Sequence, residues 1–198
     1  MDIYSKNIYF DKLLSDEDAK LIKEIANSAN KDNEYIVNSM FQFINNIELP
    51  KHITNNIINK CSDLLDGNEL ILKEYNFATY RRLDKNGKTY HPSLFPHYDY
   101  NFEETTLTLD YQIDSTIDWP IFVDGKEFNL VNNSAVSFMG SHQIHWRYEK
   151  EFQPNDYVQM IFFNFGFKEP IPIESDIIEE VKIKAKMYRD FFQTKNKG

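Results

Sequence analysis

Residues 105–148 read TTLTLDYQIDSTIDWPIFVDGKEFNLVNNSAVSFMGSHQIHWRY. Segments 105–113, 119–123, 128–131, 135–139 and 143–148 within it are short and rich in β-branched and aromatic residues. Asp-Gly, Asn-Asn and Gly-Ser pairs, which favour turns, separate them. The run 157–167, with Phe162, Phe163, Phe165 and Phe167, is the near-continuous apolar stretch expected of a buried strand. Upstream, 75–83 reads as a further strand. Many short strands joined by tight turns predict a small jelly roll.

The flanks follow a helical period instead. Ser15, followed by Asp16, Glu17 and Asp18, supplies an N-cap and an acidic first turn to a segment with Ala19, Ile22, Ile25 and Ala26 at helical spacing. A second helix is expected to begin after Pro50 and stop near Gly67, with Ile53, Ile57, Ile58, Cys61, Leu64 and Leu65 on one side. A third is expected at 174–193, where Ile177, Ile178, Val181, Lys184 or Ala185, Tyr188, and Phe191 or Phe192 recur with a helix period. The fold class is therefore mainly β with flanking helices around a double-stranded β-helix, a cupin-like jelly-roll core. The chain, 1–198, is expected to be a single domain: helical support at 1–68, the jelly-roll core at 69–168 and the C-terminal helix at 174–193, with the helices on one outer face of the sheets.

Composition narrows the function classes. With 16 Phe and 12 Tyr the chain can bury a sizeable core, which argues against disorder. A formal net charge of −9 gives no reason to expect bulk nucleic-acid binding, although Arg81, Arg82, Lys85 and Lys88 form a local basic group. The single cysteine, Cys61, excludes an internal disulfide, suits a reducing compartment and is expected inside a helix core. No apolar stretch has the length of a membrane span, and the first residues lack the apolar region of a signal peptide. A cytoplasmic protein without membrane partners is the expectation.

Five histidines are present: His52, His91, His97, His142 and His145. His97-Tyr98-Asp99 is the sole His-x-Asp, and side chains two apart on an extended segment point to the same side. A distant third histidine would close one face of an octahedron. Two neutral imidazoles and a carboxylate leave three positions open, which suits ferrous iron that must bind a cosubstrate and then dioxygen. Closed structural zinc would want a fourth protein ligand. His142 and His145, three apart, face opposite sides of a strand, and His145 is favoured because it enters a continuous strand while Gly140-Ser141-His142 reads as a turn. His142 is then expected in an exposed loop, His91 at a strand end before Pro92, and His52 in solvent beside a helix start.

Taken in order, these segments resemble the Fe(II)- and 2-oxoglutarate-dependent dioxygenases, and within them the small prolyl-hydroxylase-like proteins. The resemblance runs from about 76 to 166 and rests on His97-x-Asp99, Trp119-Pro120-Ile121-Phe122-Val123-Asp124-Gly125, the Asn133-Ser134-Ala135 turn, and Gly140-Ser141 leading to His145-Trp146-Arg147. It implies that His97, Asp99 and His145 are the catalytic metal ligands. It further implies Fe(II), 2-oxoglutarate and O2 as cofactors, with ascorbate a candidate accessory reductant. The implied reaction hydroxylates a C–H bond of a peptidyl side chain while 2-oxoglutarate becomes succinate and CO2. Two alternatives stand beside it: an oxygenase of a small metabolite or modified base, and a catalytically silent metal-binding interaction module. An open groove beside the metal would favour a peptide and an enclosed pocket a small molecule. Metal binding without 2-oxoglutarate consumption would favour the module.

One departure from the family pattern matters. Many members place a Lys or Arg about ten residues after the distal histidine to hold the remote carboxylate of 2-oxoglutarate, where this chain has Asn155 and Asp156. A dicarboxylate in a buried site needs a fixed cation, and Arg serves best through bidentate hydrogen bonds. Arg147, sharing a strand face with His145, is the first candidate, against a plain surface ion pair with Glu149 or Glu151. Tyr80 and Arg82, read as same-face residues of one strand, are the second, and Lys150 is weaker. Trp146, Tyr148 and Tyr98 should point away from the metal. Tyr100, Phe102 and Trp119 line either the entrance or the core, and 84–95 with 100–104 should surround the mouth.

Overall fold

In the computed structural model, which describes residues 5–29, 35–37, 41–44, 47–63, 65, 68–99 and 104–195, the apolar run 157–167 becomes the centre of the larger sheet. This strand, β13 (Val158–Phe167), pairs antiparallel with β8 (Thr106–Ser115) on one side and β4 (Leu70–Tyr80) on the other. The remaining strands are β1 (Ile8–Phe10), β2 (Tyr35–Val37), β3 (Phe41–Ile44), β5 (Leu83–Lys85), β6 (Lys88–Tyr90), β7 (Leu94–His97), β9 (Ile121–Val123), β10 (Lys126–Phe128), β11 (Ala135–Phe138) and β12 (His145–Arg147). The helices are α1 (Asp16–Ala29), α2 (Lys51–Asp63) and α3 (Ser175–Lys195). Seven strands form the large sheet in the order β1-β11-β8-β13-β4-β3-β2, and four form the small one, β10-β9-β12-β7. The expected jelly roll is present.

The two faces of the large sheet bury different things. Leu107, Leu109 and Tyr111 of β8 and Ile161, Phe163 and Phe165 of β13 face outward and pack on Ile22 and Ala26 of α1 and Ile53, Ile57 and Cys61 of α2. Burial pushes the Cys61 thiol up to about 12, so it behaves as an inert core group, as expected. On the inner face, Ala78, Tyr80, Val136, Phe138, Val158 and Met160 meet Trp119, Ile121 and Val123 across the gap between the sheets.

Three expectations need correction. First, 1–68 is not only helical support, because β1 extends the sheet beside β11 and β3 pairs with β4. These strands are three or four residues long, too short for an alternating pattern to register. Second, the helices occupy both outer faces: α1 and α2 cover the large sheet, whereas Ala185 and Phe192 of α3 cover the small one through Ile144 and Trp146. Each sheet has its own apolar outer face, so each needs its own cover. Third, the strand expected at 128–131 is displaced to Lys126–Phe128. Asp124 (φ 49°) and Gly125 (φ 84°) form the two-residue turn between β9 and β10, which draws the second strand forward. Leu64, Gly67, Tyr100 and Phe102 lie outside the described residues. No helix among the described residues is long and apolar enough to cross a membrane.

Candidate metal centre

Strand pairing, not sequence proximity, assembles the site. β12 lies antiparallel between β7 and β9, and its first residue, His145, is directly opposite His97 at the end of β7. The chain then leaves the sheet, and the Asp99 amide donates to the Gly140 carbonyl at 2.9 Å, turning its carboxylate back toward the two rings. His145 Nε2 is 3.3 Å and His97 Nε2 3.8 Å from Asp99 Oδ1. All three donor atoms lie within 4.8 Å of one another. Ligands about 2.1 Å from one ion on an octahedral face would be roughly 3 Å apart, so a small closure completes the site. The donor set of two imidazoles and one carboxylate fits a divalent metal with open positions.

The histidine tautomers are set by the backbone. His97 Nδ1 lies 2.7 Å from the Phe95 carbonyl and His145 Nδ1 3.1 Å from that of Gln143. A carbonyl only accepts, so each Nδ1 carries a proton and Nε2 is the nitrogen left to ligate a metal; on His145 the Asp99 carboxylate 3.3 Å from Nε2 favours a proton there until a metal displaces it. Desolvation, reinforced by the neighbouring His145, pulls His97 down to about 4, so it is neutral at pH 7. Burial pulls His145 down as well, but the adjacent Asp99 carboxylate outweighs it and leaves its pKa above the ordinary value. For Asp99, burial is overcome by both histidines and by Thr108, whose hydroxyl donates to Oδ2 at 2.5 Å, and the carboxylate stays well below its usual range. Gly140 is required here because a Cβ would collide with Thr108 Oγ1 and lie 2.6 Å from Asp99 Oδ2.

The triad opens on a cavity of about 290 Å³ between the sheets. Leu94 and Tyr98 join the triad on one wall; Glu74, Asn76, Thr108, Asp110, Phe162 and Asn164 form the other, with Tyr80 also in the lining. Asp110 is 3% exposed, and its carboxyl is pushed up to about 7, chiefly by burial, against the lowering effect of Arg147 and His145.

Arg147 shares the inward direction of His145, as strand parity requires, and is completely buried, which removes the surface ion pair with Glu149 or Glu151. One Nη donates to the Trp119 carbonyl, the other lies 3.0 Å from Met160 Sδ, and the guanidinium sits 4.9 Å from the centre of the Trp119 ring. Arg147 is not among the cavity-lining residues, whereas Tyr80 is. The Tyr80 and Arg82 pair is corrected: β4 ends at Tyr80, and Arg82 pairs outside with Asp84 at 2.7 Å. His142 is also corrected, since its loop is buried, with the residue 8% exposed and Nδ1 2.8 Å from Ser141 Oγ. Trp146 and Tyr148 point away from the His97, Asp99 and His145 triad, into the cluster with α3. Tyr98 touches that cluster and also borders the cavity. Lys150 reaches the Asp118 carbonyl on the surface.

Sequence reading missed Thr108, Asp110, Asn164 and Glu74. A signal existed in β8, where Thr106, Thr108, Asp110, Gln112 and Asp114 alternate with Leu107, Leu109, Tyr111 and Ile113. Such alternation usually marks a solvated face, yet here both faces are buried, so the polar side lines an interior site.

No family model matches the sequence, and no curated protein sequence matches it. Solved structures do match the fold. The α-ketoglutarate-dependent non-haem epimerase SnoN from nogalamycin biosynthesis superposes with a TM-score of 0.65 at 9% identity, covering 86% of this chain and 81% of that one. HygX from Streptomyces hygroscopicus, with nickel, 2-oxoglutarate and hygromycin B bound, gives 0.61 at 5% identity, covering 84% of each chain. A Pseudomonas putida prolyl-4-hydroxylase gives 0.57 at 10% identity, covering 81% of this chain and 92% of that one.

Proposed function

We propose that this chain is an Fe(II)- and 2-oxoglutarate-dependent oxygenase in which His97, Asp99 and His145 hold the metal. The observation that carries the reading is the convergence of two Nε2 atoms, on rings oriented by backbone carbonyls, with the Asp99 carboxylate at a cavity wall. Iron with 2-oxoglutarate and dioxygen supplies oxidation of a substrate C–H bond, 2-oxoglutarate leaving as succinate and CO2. The protein's own part is to keep His97 neutral and Asp99 ionised and to fix both rings through their backbone acceptors. Arg147 is assigned to the remote carboxylate of 2-oxoglutarate, with Tyr80 as the lining group next to it. Arg82, held by Asp84, is the less favoured anchor.

A small-molecule substrate is the preferred finer reading, supported by the limited cavity of about 290 Å³ and by the hygromycin B in the HygX structure. Hydroxylation of a peptidyl side chain is the second, supported by the likeness to the prolyl-4-hydroxylase. The test is succinate formation from 2-oxoglutarate with Fe(II) under air, with and without candidate substrates, in the wild type and in His97→Ala, Asp99→Ala and His145→Ala. Iron-dependent succinate in the wild type alone supports the assignment. Wild-type protein that binds Fe(II) tightly yet forms no succinate would replace the enzyme with a metal-binding interaction module.

A further inference from the structure

Besides the apolar side that it buries, α3 carries a second apolar stripe. Ala185 and Phe192 pack on Ile144 and Trp146 at the small sheet. Ile183, Met187 and Phe191, by contrast, are 61%, 66% and 48% exposed. Four-residue spacing sets these three on one face, each about one turn beyond the last. Phe95 of β7, itself 54% exposed, meets α3 at Phe192 and adds ring surface at that end. Single exposed apolar residues are ordinary, but a row along two turns of a helix marks a contact surface.

The charges around the stripe say what covers it. The chain has a formal net charge of −9, so two copies repel at long range. α3 departs from that balance, with five basic and four acidic residues, and it segregates them along its length. Asp176, Glu179 and Glu180 lie in the first two turns, and Lys182, Lys184, Lys186 and Arg189 follow. Glu179 holds Lys182 at 2.7 Å, Asp124 holds Lys184 at 2.5 Å, and Arg189 donates to the Pro96 carbonyl. Lys186 and Asp190, which flank Met187, are exposed and pair with no other described residue. A second α3 crossing the first antiparallel, with Met187 at the two-fold axis, sets Ile183 of each copy against Phe191 of the other. The same crossing sets Lys186 of each copy beside Asp190 of the other. Rows at four-residue spacing interdigitate at a crossing angle of about −50°. A parallel pair would instead bring Glu179 and Glu180 of the two copies together and Lys186 of one against Lys184 of the other.

We propose that this chain forms a two-fold symmetric dimer through antiparallel crossing of α3 on the Ile183, Met187 and Phe191 stripe. Such a contact is self-complementary, as the paired Lys186 and Asp190 require. Phe192 and Arg189 of the same helix hold β7, so the contact lies behind the strand that ends in His97. A single helix crossing is small for an interface, which sets the dissociation constant at roughly 1 to 100 µM.

Sedimentation velocity of the full chain from about 1 to 300 µM brackets that range and tests the proposal. The wild type should pass from monomer to dimer mass. Met187→Glu should weaken association about a hundredfold by burying an unpaired charge at the axis, with Tm unchanged because the side chain is exposed in the monomer. Ile183→Lys should give the same loss from a second exposed position, so a folding defect in one variant leaves the other decisive. Lys186→Glu and Asp190→Lys should each weaken the dimer, and the two together should restore it, because the swap rebuilds the same pairs with signs exchanged. A wild type that stays monomeric throughout overturns the proposal, as does a dimer indifferent to both Met187→Glu and Ile183→Lys. Weakening by each charge variant without recovery in the double variant overturns the antiparallel arrangement.

Discussion

At the scale of single residues, the geometry of the His-Asp-His triad depends on groups outside it. Gly140 leaves room for the Thr108 hydroxyl and the Asp99 carboxylate, so Gly140→Ala should displace Asp99 and weaken Ni(II) or Fe(II) binding about ten- to a hundredfold in calorimetry, with the fold retained. Proton competition should be stepwise. His145, raised above its ordinary value, must lose a proton to bind metal, whereas His97, lowered to about 4, is already neutral. Metal affinity should therefore begin to fall above pH 6.5 as pH is lowered, by about tenfold per unit. A second proton should enter the slope only near pH 4, and a two-proton slope already at pH 6.5 would contradict this assignment. Arg147→Ala removes a wholly buried cation facing Asp110, at a cost on the order of 3 to 5 kcal/mol in urea unfolding. It should also weaken 2-oxoglutarate binding to the Ni(II)-loaded protein by a hundredfold or more, and unchanged binding would leave Arg147 a purely structural role.

At the scale of elements, α3 supports the metal strands from behind. Phe192 stacks on Tyr148 at 5.5 Å and meets Phe95 at 5.1 Å, and Arg189 Nε donates to the Pro96 carbonyl, one residue before His97, at 3.1 Å. Phe192→Ala should cost about 3 to 5 kcal/mol in urea unfolding and loosen β7, lowering metal affinity although Phe192 is not in the cavity lining. Retained metal affinity in this variant would separate α3 from the site. The helices were legible because each has a cap or a long periodic face: Ser15 Oγ accepts from the Asp18 amide at 3.1 Å, as the Ser-Asp-Glu-Asp run indicated. β5 and β6, like β1 to β3, were not, because three or four residues carry too little pattern to oppose local propensity.

At the scale of the whole molecule, metal binding and stability are one equilibrium. A metal that binds only the folded chain, at a hundred times its Kd, adds about 2.7 kcal/mol. For a chain of 198 residues this should raise Tm by roughly 5 to 10 °C. Differential scanning calorimetry should show that rise with Ni(II) in the wild type and none in Asp99→Ala. A rise of equal size in Asp99→Ala would place the stabilising metal elsewhere. The shared fold at 5 to 10% identity with SnoN, HygX and the prolyl-4-hydroxylase fits a scaffold specified by strand pattern and turns more than by particular side chains.

The amino-acid sequence by itself determined the jelly roll, the three helices, and His97, Asp99 and His145 as the group to be brought together. Each of these rests on a short-range regularity: alternation in strands, caps and period in helices, and the two-residue spacing of His97 and Asp99. Strand parity likewise sent Arg147 inward with His145 and turned Trp146 toward α3. Only the tertiary structure decided which polar residues became a cavity wall. Glu74, Asp110 and Asn164 lie far apart in sequence, and the pairing of β4, β13 and β8 alone sets them on one face. It also buried His142 and divided the helices between two sheets. Those outcomes depend on which strands become neighbours and which faces need cover, quantities that arise only when distant segments compete for the same interior.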